Sequence, residues 1–276
     1  MGGRRDSLDR IAAALERMAP APAAPLDWTC APAYIWDGKT AQRVEALDAL
    51  PLNNLRGVDD QKARLKDNLE RLASGAGSHD VLLWGARGMG KSALVRAAVA
   101  SIQSVNAASM ALVQITPQAL DTAPALFAML DKQPRTFLIF VDDLGFGADQ
   151  HQNMLAVRSL LDGGVMARPD NVRIAVTSNR RGIVSRSANE SEALHERDER
   201  DDALALADRF GLTLAFHPCD RETYLEIVRA YTDPIGLEIN EEEAMAWAIA
   251  RGNRSGRTAY QFATEMAGRA RLALKA

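Results

Sequence analysis

Cysteine is scarce in this 276-residue chain: Cys30 and Cys219 are far apart and show no metal-type spacing. A disulfide scaffold is excluded, and a reducing compartment is expected. Long hydrophobic runs are missing as well. No stretch reaches the roughly 18 apolar residues needed to cross a bilayer, so a membrane-spanning protein is not expected. Net charge is small, with 33 Lys and Arg against 36 Asp and Glu leaving −3. The chain therefore does not coat nucleic acid or anionic lipid through bulk charge. His79, His151, His195 and His217 are dispersed and form no metal set. Arg4, Arg5 and Arg10 open the chain, but Glu16 and Arg17 interrupt the Ala-rich run behind them, which makes a poor secretory signal. A cytoplasmic location is expected.

What is present is a globular share of hydrophobic residues, 47%, enough to bury a sizeable core. Leu8, Ile11, Leu15 and Met18 fall at helical spacing, with Ser7 as a candidate N-cap. The Pro/Ala stretch 20–25 then reads as a hinge or linker. Residues 28–54 show no strong period and read as an arm packed on something larger. Trp28, Tyr34 and Trp36 are taken as packing residues of that arm in preference to base-stacking ones. Residues 1–50 are accordingly set apart as helix, linker and arm.

From about Asn53 the pattern becomes regular. Apolar Val/Ile/Leu runs at 81–84, 110–116, 136–144, 172–179 and 212–218 alternate with helical segments. Five such strands predict a parallel sheet covered on both faces, the α/β class, over residues 51–218. After Pro218 the chain reads as three helices, a small all-α unit at 219–276. Residues 185–203 break the rhythm with seven acidic residues against Arg197 and Arg200. They read as a solvated charged loop, with partner contact as the alternative.

Gly85-Ala86-Arg87-Gly88-Met89-Gly90-Lys91-Ser92 matches G-x-x-x-x-G-K-S/T without a mismatch, after a strand and at the start of a helix. Glycines let the backbone curl so that successive N–H groups point at phosphate oxygens. The helix start adds the positive end of its dipole, and Ala93 continues the same turn. Lys91 supplies a full charge to the β- and γ-phosphates, and the Ser92 hydroxyl is a Mg²⁺ ligand. Val58, in the Arg56-Gly57-Val58 turn before the first long helix, is placed to wall the base.

Asp142 and Asp143 end the apolar run that begins at Phe137. An acid at the carboxyl end of a buried strand lies where ligands of open α/β sheets bind. Asp142 is placed to hold Mg²⁺, and Asp143 to act as base on an attacking water. The competing role for one of the pair is capping the next helix. Asn179, ending the fourth strand, can orient that water, or it can simply form a turn. Arg209, just before the fifth strand, can project towards a neighbouring subunit's nucleotide, or form a surface ion pair. Arg257 and Arg254 flank the start of the last helix, and Arg257 is the preferred one to reach the γ-phosphate. No N-K-x-D guanine-reading motif is present.

In this order, GARGMGKS, FLIFVDD, VTSN, DRFG and SGRTAYQF resemble the AAA+ ATPases: phosphate loop, acid strand, first sensor, arginine finger and second sensor. More narrowly, RGVDDQKARLKDN, SLLDGGVMARPDNVRIAVTSNRR and LADRFGL are similar to the bacterial ATP-binding family known as domain of unknown function 815, over roughly residues 50–272. The resemblance implies a P-loop sheet with a C-terminal helical lid. It also implies ATP and Mg²⁺ held by Gly85, Gly90, Lys91, Ser92 and Asp142. Asp143 would be the catalytic carboxylate, Asn179 the first sensor, Arg209 the finger acting in trans and Arg257 the second sensor. Asp143 stands where many AAA+ proteins carry Glu. Residues 116–123 lack the aromatic of a threading loop, so polypeptide threading is not expected.

The expectation is an ATP-hydrolysing homo-oligomer with sites at subunit interfaces, acting on an unidentified protein client. Two alternatives remain open: a nucleotide switch or adaptor with negligible hydrolysis, and a DNA-associated loader. The charge balance does not support nucleic acid as a partner.

Overall fold

A computed structural model describes residues 26–145, 151–162, 168–179 and 205–274. Among the described residues seven strands form a single sheet: β1 Ala33–Trp36, β2 Ala41–Val44, β3 Val81–Gly85, β4 Met110–Ile115, β5 Thr136–Val141, β6 Val172–Ser178 and β7 Leu212–Phe216. Their spatial order is β2-β1-β4-β5-β6-β3-β7, and every pairing is parallel except the β1–β2 hairpin. The parallel α/β class follows the sequence expectation; the strand count does not. Two further strands come from the 28–54 arm, which adds itself to the sheet edge through β1 on β4. Four residues are too few to display a period of two, so the sequence showed no strand there.

Alternation along the central strands feeds two cores, one on each face of the sheet. Val81, Leu83, Leu112, Leu138 and Phe140 join one cluster, with helices α1 Asp59–Ala73 and α2 Lys91–Val105. Leu82, Ala111, Val113, Phe137 and Ile139 join the other, with α3 Ala123–Leu130 and α4 His151–Asp162. Tyr34 and Trp36 are fully buried in this second core beside Trp28, as packing residues of the arm. The buried Arg135 fastens the arm. Its guanidinium donates to the carbonyls of Ala31 at 2.7 Å, Met110 at 2.6 Å and Ala107 at 2.8 Å.

Three helices follow β7: α5 Arg221–Thr232, α6 Glu241–Ala250 and α7 Gly256–Arg269. Each begins on a side-chain cap, from Asp220, Asn240 and Ser255 in turn, which satisfies first-turn N–H groups. Tyr224, Leu225 and Phe262 enter the same core cluster as α1 and α2, so the helical unit is seated against the sheet layer. A Cβ on Gly57, whose φ is +70°, would collide with the Thr223 methyl of α5. The helix expected at 7–19, the hinge at 20–25 and the acidic stretch at 185–203 lie outside the described residues.

Candidate active site at the sheet's carboxyl edge

β3 runs straight into the glycine turn. Gly85 has φ +127°, and a Cβ there would strike the Phe216 carbonyl of β7, so the backbone itself demands glycine. Ala86 N–H donates to that same carbonyl at 3.0 Å, which pins the loop to the sheet. Gly88 and Gly90 also have positive φ, +76° and +88°, and α2 begins directly at Lys91. The turn therefore presents main-chain amides and the positive end of a 15-residue helix to one small volume.

Lys91 is buried beneath this turn. Its ammonium donates to the Gly85 carbonyl at 2.9 Å, the Ala86 carbonyl at 2.8 Å and Asn179 Oδ1 at 2.8 Å. Burial brings its pKa down to about 8, against the attraction of Asp143 and Asp142; the Arg87 and Arg257 charges lower it further. A lysine so placed gains most from an incoming anion, which replaces neutral carbonyls with formal charge.

The acid pair is organised by β6. Asp142 Oδ1 accepts from Ser92 Oγ and from Thr177 Oγ1, each at 2.6 Å. Thr177 Oγ1 in turn accepts the Asp143 N–H at 2.8 Å. Asp143 sits at φ +55°, the left-handed region, where Asp is better tolerated than most residues. Its carboxylate accepts from Asn179 Nδ2. One continuous chain thus runs from Lys91 through Asn179 to Asp143 and Thr177, and on to Asp142 and Ser92.

The Ser92 hydroxyl and the Asp142 carboxylate are hard oxygen donors in mutual contact, which fits Mg²⁺. Among the described residues no three His, Cys, Asp or Glu side chains converge on one point. This also fits Mg²⁺, which commonly takes one or two protein oxygens and completes its shell with water and phosphate. The oxygens open into a cavity of about 530 Å³ between sheet edge and helical unit. Its apolar lining comes from Leu50, Leu55 and Val58 before and at the start of α1, from Ile227 and Tyr231 of α5 and from Tyr260 of α7. Arg257 also lines the cavity, its main-chain N–H donating to the Gly88 carbonyl at 3.1 Å.

The family model for the protein of unknown function DUF815 matches residues 29–270. The chain belongs to this family. No curated protein matches the chain in sequence. In fold, this DUF815 member is similar to the Thermotoga maritima RuvB Holliday junction branch migration motor, with TM-score 0.53 and 20% identity over 82% of this chain and 68% of that one. It is also similar to the Aeropyrum pernix ORC1 protein solved in complex with DNA, with TM-score 0.56 and 16% identity over 80% of this chain and 63% of that one. The fold of this DUF815 protein is thus the one shared by those RuvB and ORC1 structures.

Of the residues singled out from sequence, Arg87, Gly88, Met89, Gly90, Lys91, Ser92, Ala93, Asp142, Asp143, Asn179, Arg257 and Val58 line the one cavity. Gly85 and Ala86 stand behind it as acceptors for Lys91. Arg209 is elsewhere. It pairs with Asp162 at the end of α4 and donates to the Ala205 carbonyl, outside the cavity lining. Arg254 lies in a smaller neighbouring recess with Ala86 and Pro218. Sequence reading missed Thr177, whose hydroxyl joins both aspartates, and Arg96, Tyr231 and Tyr260 of the walls. A polar side chain inside a buried strand was the available signal for Thr177; nothing local marks the two tyrosines.

Proposed function

We propose that this DUF815 protein is an ATPase that binds ATP with Mg²⁺ in the 530 Å³ cavity and hydrolyses its terminal phosphoanhydride bond. The observation that carries the reading is the hydrogen-bonded chain joining Lys91, Asn179, Asp143, Thr177, Asp142 and Ser92. It couples a phosphate-binding cation, a metal-ligand pair and a candidate base in one place. Gly88, Gly90 and Lys91 N–H groups hold the phosphates, and the Lys91 ammonium supplies charge where negative charge gathers. Ser92 and Asp142 hold Mg²⁺, which when bound screens the phosphate oxygens. Asp143 accepts the proton of the attacking water, and Asn179 orients that water against the carboxylate. Val58, Leu55, Tyr231 and Tyr260 supply the apolar lining that would enclose the base.

In this reading residues 51–218 bind the nucleotide and 219–276 act as a lid, with Arg257 reporting on the γ-phosphate. Arg209 serves a neighbouring copy's site in a homo-oligomer, exchanging Asp162 for phosphate. The chain works in the cytoplasm on an unidentified protein client. Phosphate release by purified protein tests the reading, with Lys91→Ala expected to lose nucleotide binding. Tight ATP binding retained in that variant contradicts it.

A second reading rests on Asp143, whose short carboxylate is already engaged by Asn179: a nucleotide switch with negligible turnover. Equal inactivity of wild type and Asp143→Asn, with ATP still raising thermal stability, selects it. A DNA-loading role finds support only in the DNA-associated fold neighbours, and a steep salt dependence of DNA affinity is its test.

A further inference from the structure

Beside the nucleotide cavity lies a second one of about 330 Å³, and its lining includes Arg87, Arg251, Arg257, Asn253 and Gln261. Among the described residues no acidic side chain lines it. Among the described residues none of the three guanidinium groups forms an ion pair or donates a hydrogen bond. Arg251 lies with its guanidinium carbon 3.4 Å from the Trp247 ring centroid, a contact that fixes the group without neutralising it. The Gln261 side chain, one turn after Arg257 on α7, likewise has no partner among the described residues. Burial is the main cause that lowers the Lys91 pKa, and the charges of Arg87 and Arg257 add to it, so the positive potential extends into the P-loop.

Three arginines sharing one recess repel one another unless an anion sits between them. We infer that this cavity is a second anion site that takes a small polyphosphate, pyrophosphate being its simplest form, alongside a nucleotide in the P-loop, with Arg87 and Arg257 common to both linings. The chemistry selects that class. Each guanidinium fork offers paired N–H donors, and one carboxylate has two oxygens, too few for three forks. A pyrophosphate presents several oxygens on two centres, and the Gln261 amide adds a neutral donor. The recess has about three fifths of the nucleotide cavity's volume, which suits an anion without a base. All three arginines remain exposed to solvent, so binding is salt-sensitive.

The test is calorimetric titration of pyrophosphate into the full chain at low salt, with the P-loop saturated by a non-hydrolysable ATP analogue and Mg²⁺. One further equivalent of pyrophosphate is expected to bind, and Gln261→Glu, which sets a carboxylate among the arginines, weakens it at least tenfold. Arg251→Ala does the same, while analogue affinity stays within twofold in both variants. Gln261→Glu keeps the volume of the side chain, so it guards against loss of fold if removing Arg251 from Trp247 destabilises the helical unit. Pyrophosphate binding that vanishes once the analogue is present overturns the site, as does binding indifferent to Gln261→Glu. Binding of a short single-stranded oligonucleotide without binding of pyrophosphate overturns the small-anion assignment. If the analogue itself fails to bind, the ATPase reading falls. The Gln261→Glu comparison on pyrophosphate alone still decides this site.

Discussion

Lys91 Nζ donates to Asn179 Oδ1 at 2.8 Å, joining two residues 88 positions apart. The bond ties the start of α2 to the end of β6 and aligns the cation of the glycine turn with the residue that contacts Asp143. Cutting it at Asn179 separates binding from turnover. Asn179→Ala is expected to hold ATP within about threefold of wild type and to lower phosphate release ten- to a hundredfold, roughly 1.4–2.7 kcal/mol of barrier. Equal losses in affinity and turnover would point to a purely structural asparagine.

The pH dependence of binding follows from Lys91. Its pKa of about 8 in the free protein lies below the ordinary lysine value of 10.5, chiefly through burial. Well below pH 8 the ammonium is charged and nucleotide affinity is at its plateau. As pH rises through 8 the charge is lost, and affinity declines towards pH 10. Bound phosphate raises the pKa, so binding near pH 8–9 takes up a proton, measurable by calorimetry in buffers of differing ionisation enthalpy. Lys91→Arg shifts the decline out of this range, because guanidinium stays charged.

Thr177→Val removes a hydroxyl that donates to Asp142 and accepts from the Asp143 N–H. Residue 177 is 1% exposed, so no water replaces it. A loss of about 1–3 kcal/mol in stability is expected from the orphaned groups. The Mg²⁺ concentration for half-maximal phosphate release should rise as well, since Asp142 loses a fixed partner. An unchanged Mg²⁺ requirement would confine Thr177 to stability alone.

Arg209→Ala leaves nucleotide binding intact and lowers turnover if the guanidinium serves a neighbouring copy. Wild-type turnover per subunit should then climb with protein concentration, in step with the size measured by light scattering. Turnover by a monomer, independent of concentration, would leave Arg209 as the partner of Asp162 and nothing more.

Gly85→Ala tests the backbone argument. The added methyl meets the Phe216 carbonyl, a main-chain atom that cannot swing away, at a φ that alanine avoids. A destabilisation of about 2–4 kcal/mol is expected by thermal unfolding, combining strain with overpacking. A neutral result would mean that β3 and β7 separate more easily than their register indicates.

Much of the site was legible because its parts are contiguous. The eight residues from Gly85 to Ser92 form one local turn, and the Asp142-Asp143 pair ends an unmistakable apolar strand. Asn179 was found by the same rule, a polar residue where a buried strand stops. Thr177 escaped that rule because it lies inside β6, where only the strand alongside gives its hydroxyl a purpose. β1 escaped because four residues carry too little pattern, and its burial comes from pairing with β4 and from the Arg135 anchor.

Sequence alone determined the glycine turn, the carboxylates at the strand end and the alternation of strands and helices, since backbone conformation and solubility pattern are properties of neighbouring residues. Tertiary structure decided the strand order, the seat of the arm, the tyrosine wall, the ion pair of Arg209 with Asp162 and the arginines around Arg251 that have no ion-pair partner among the described residues. Those depend on which distant segments lie side by side, and that is set by packing two apolar faces of one sheet rather than by any local run of residues.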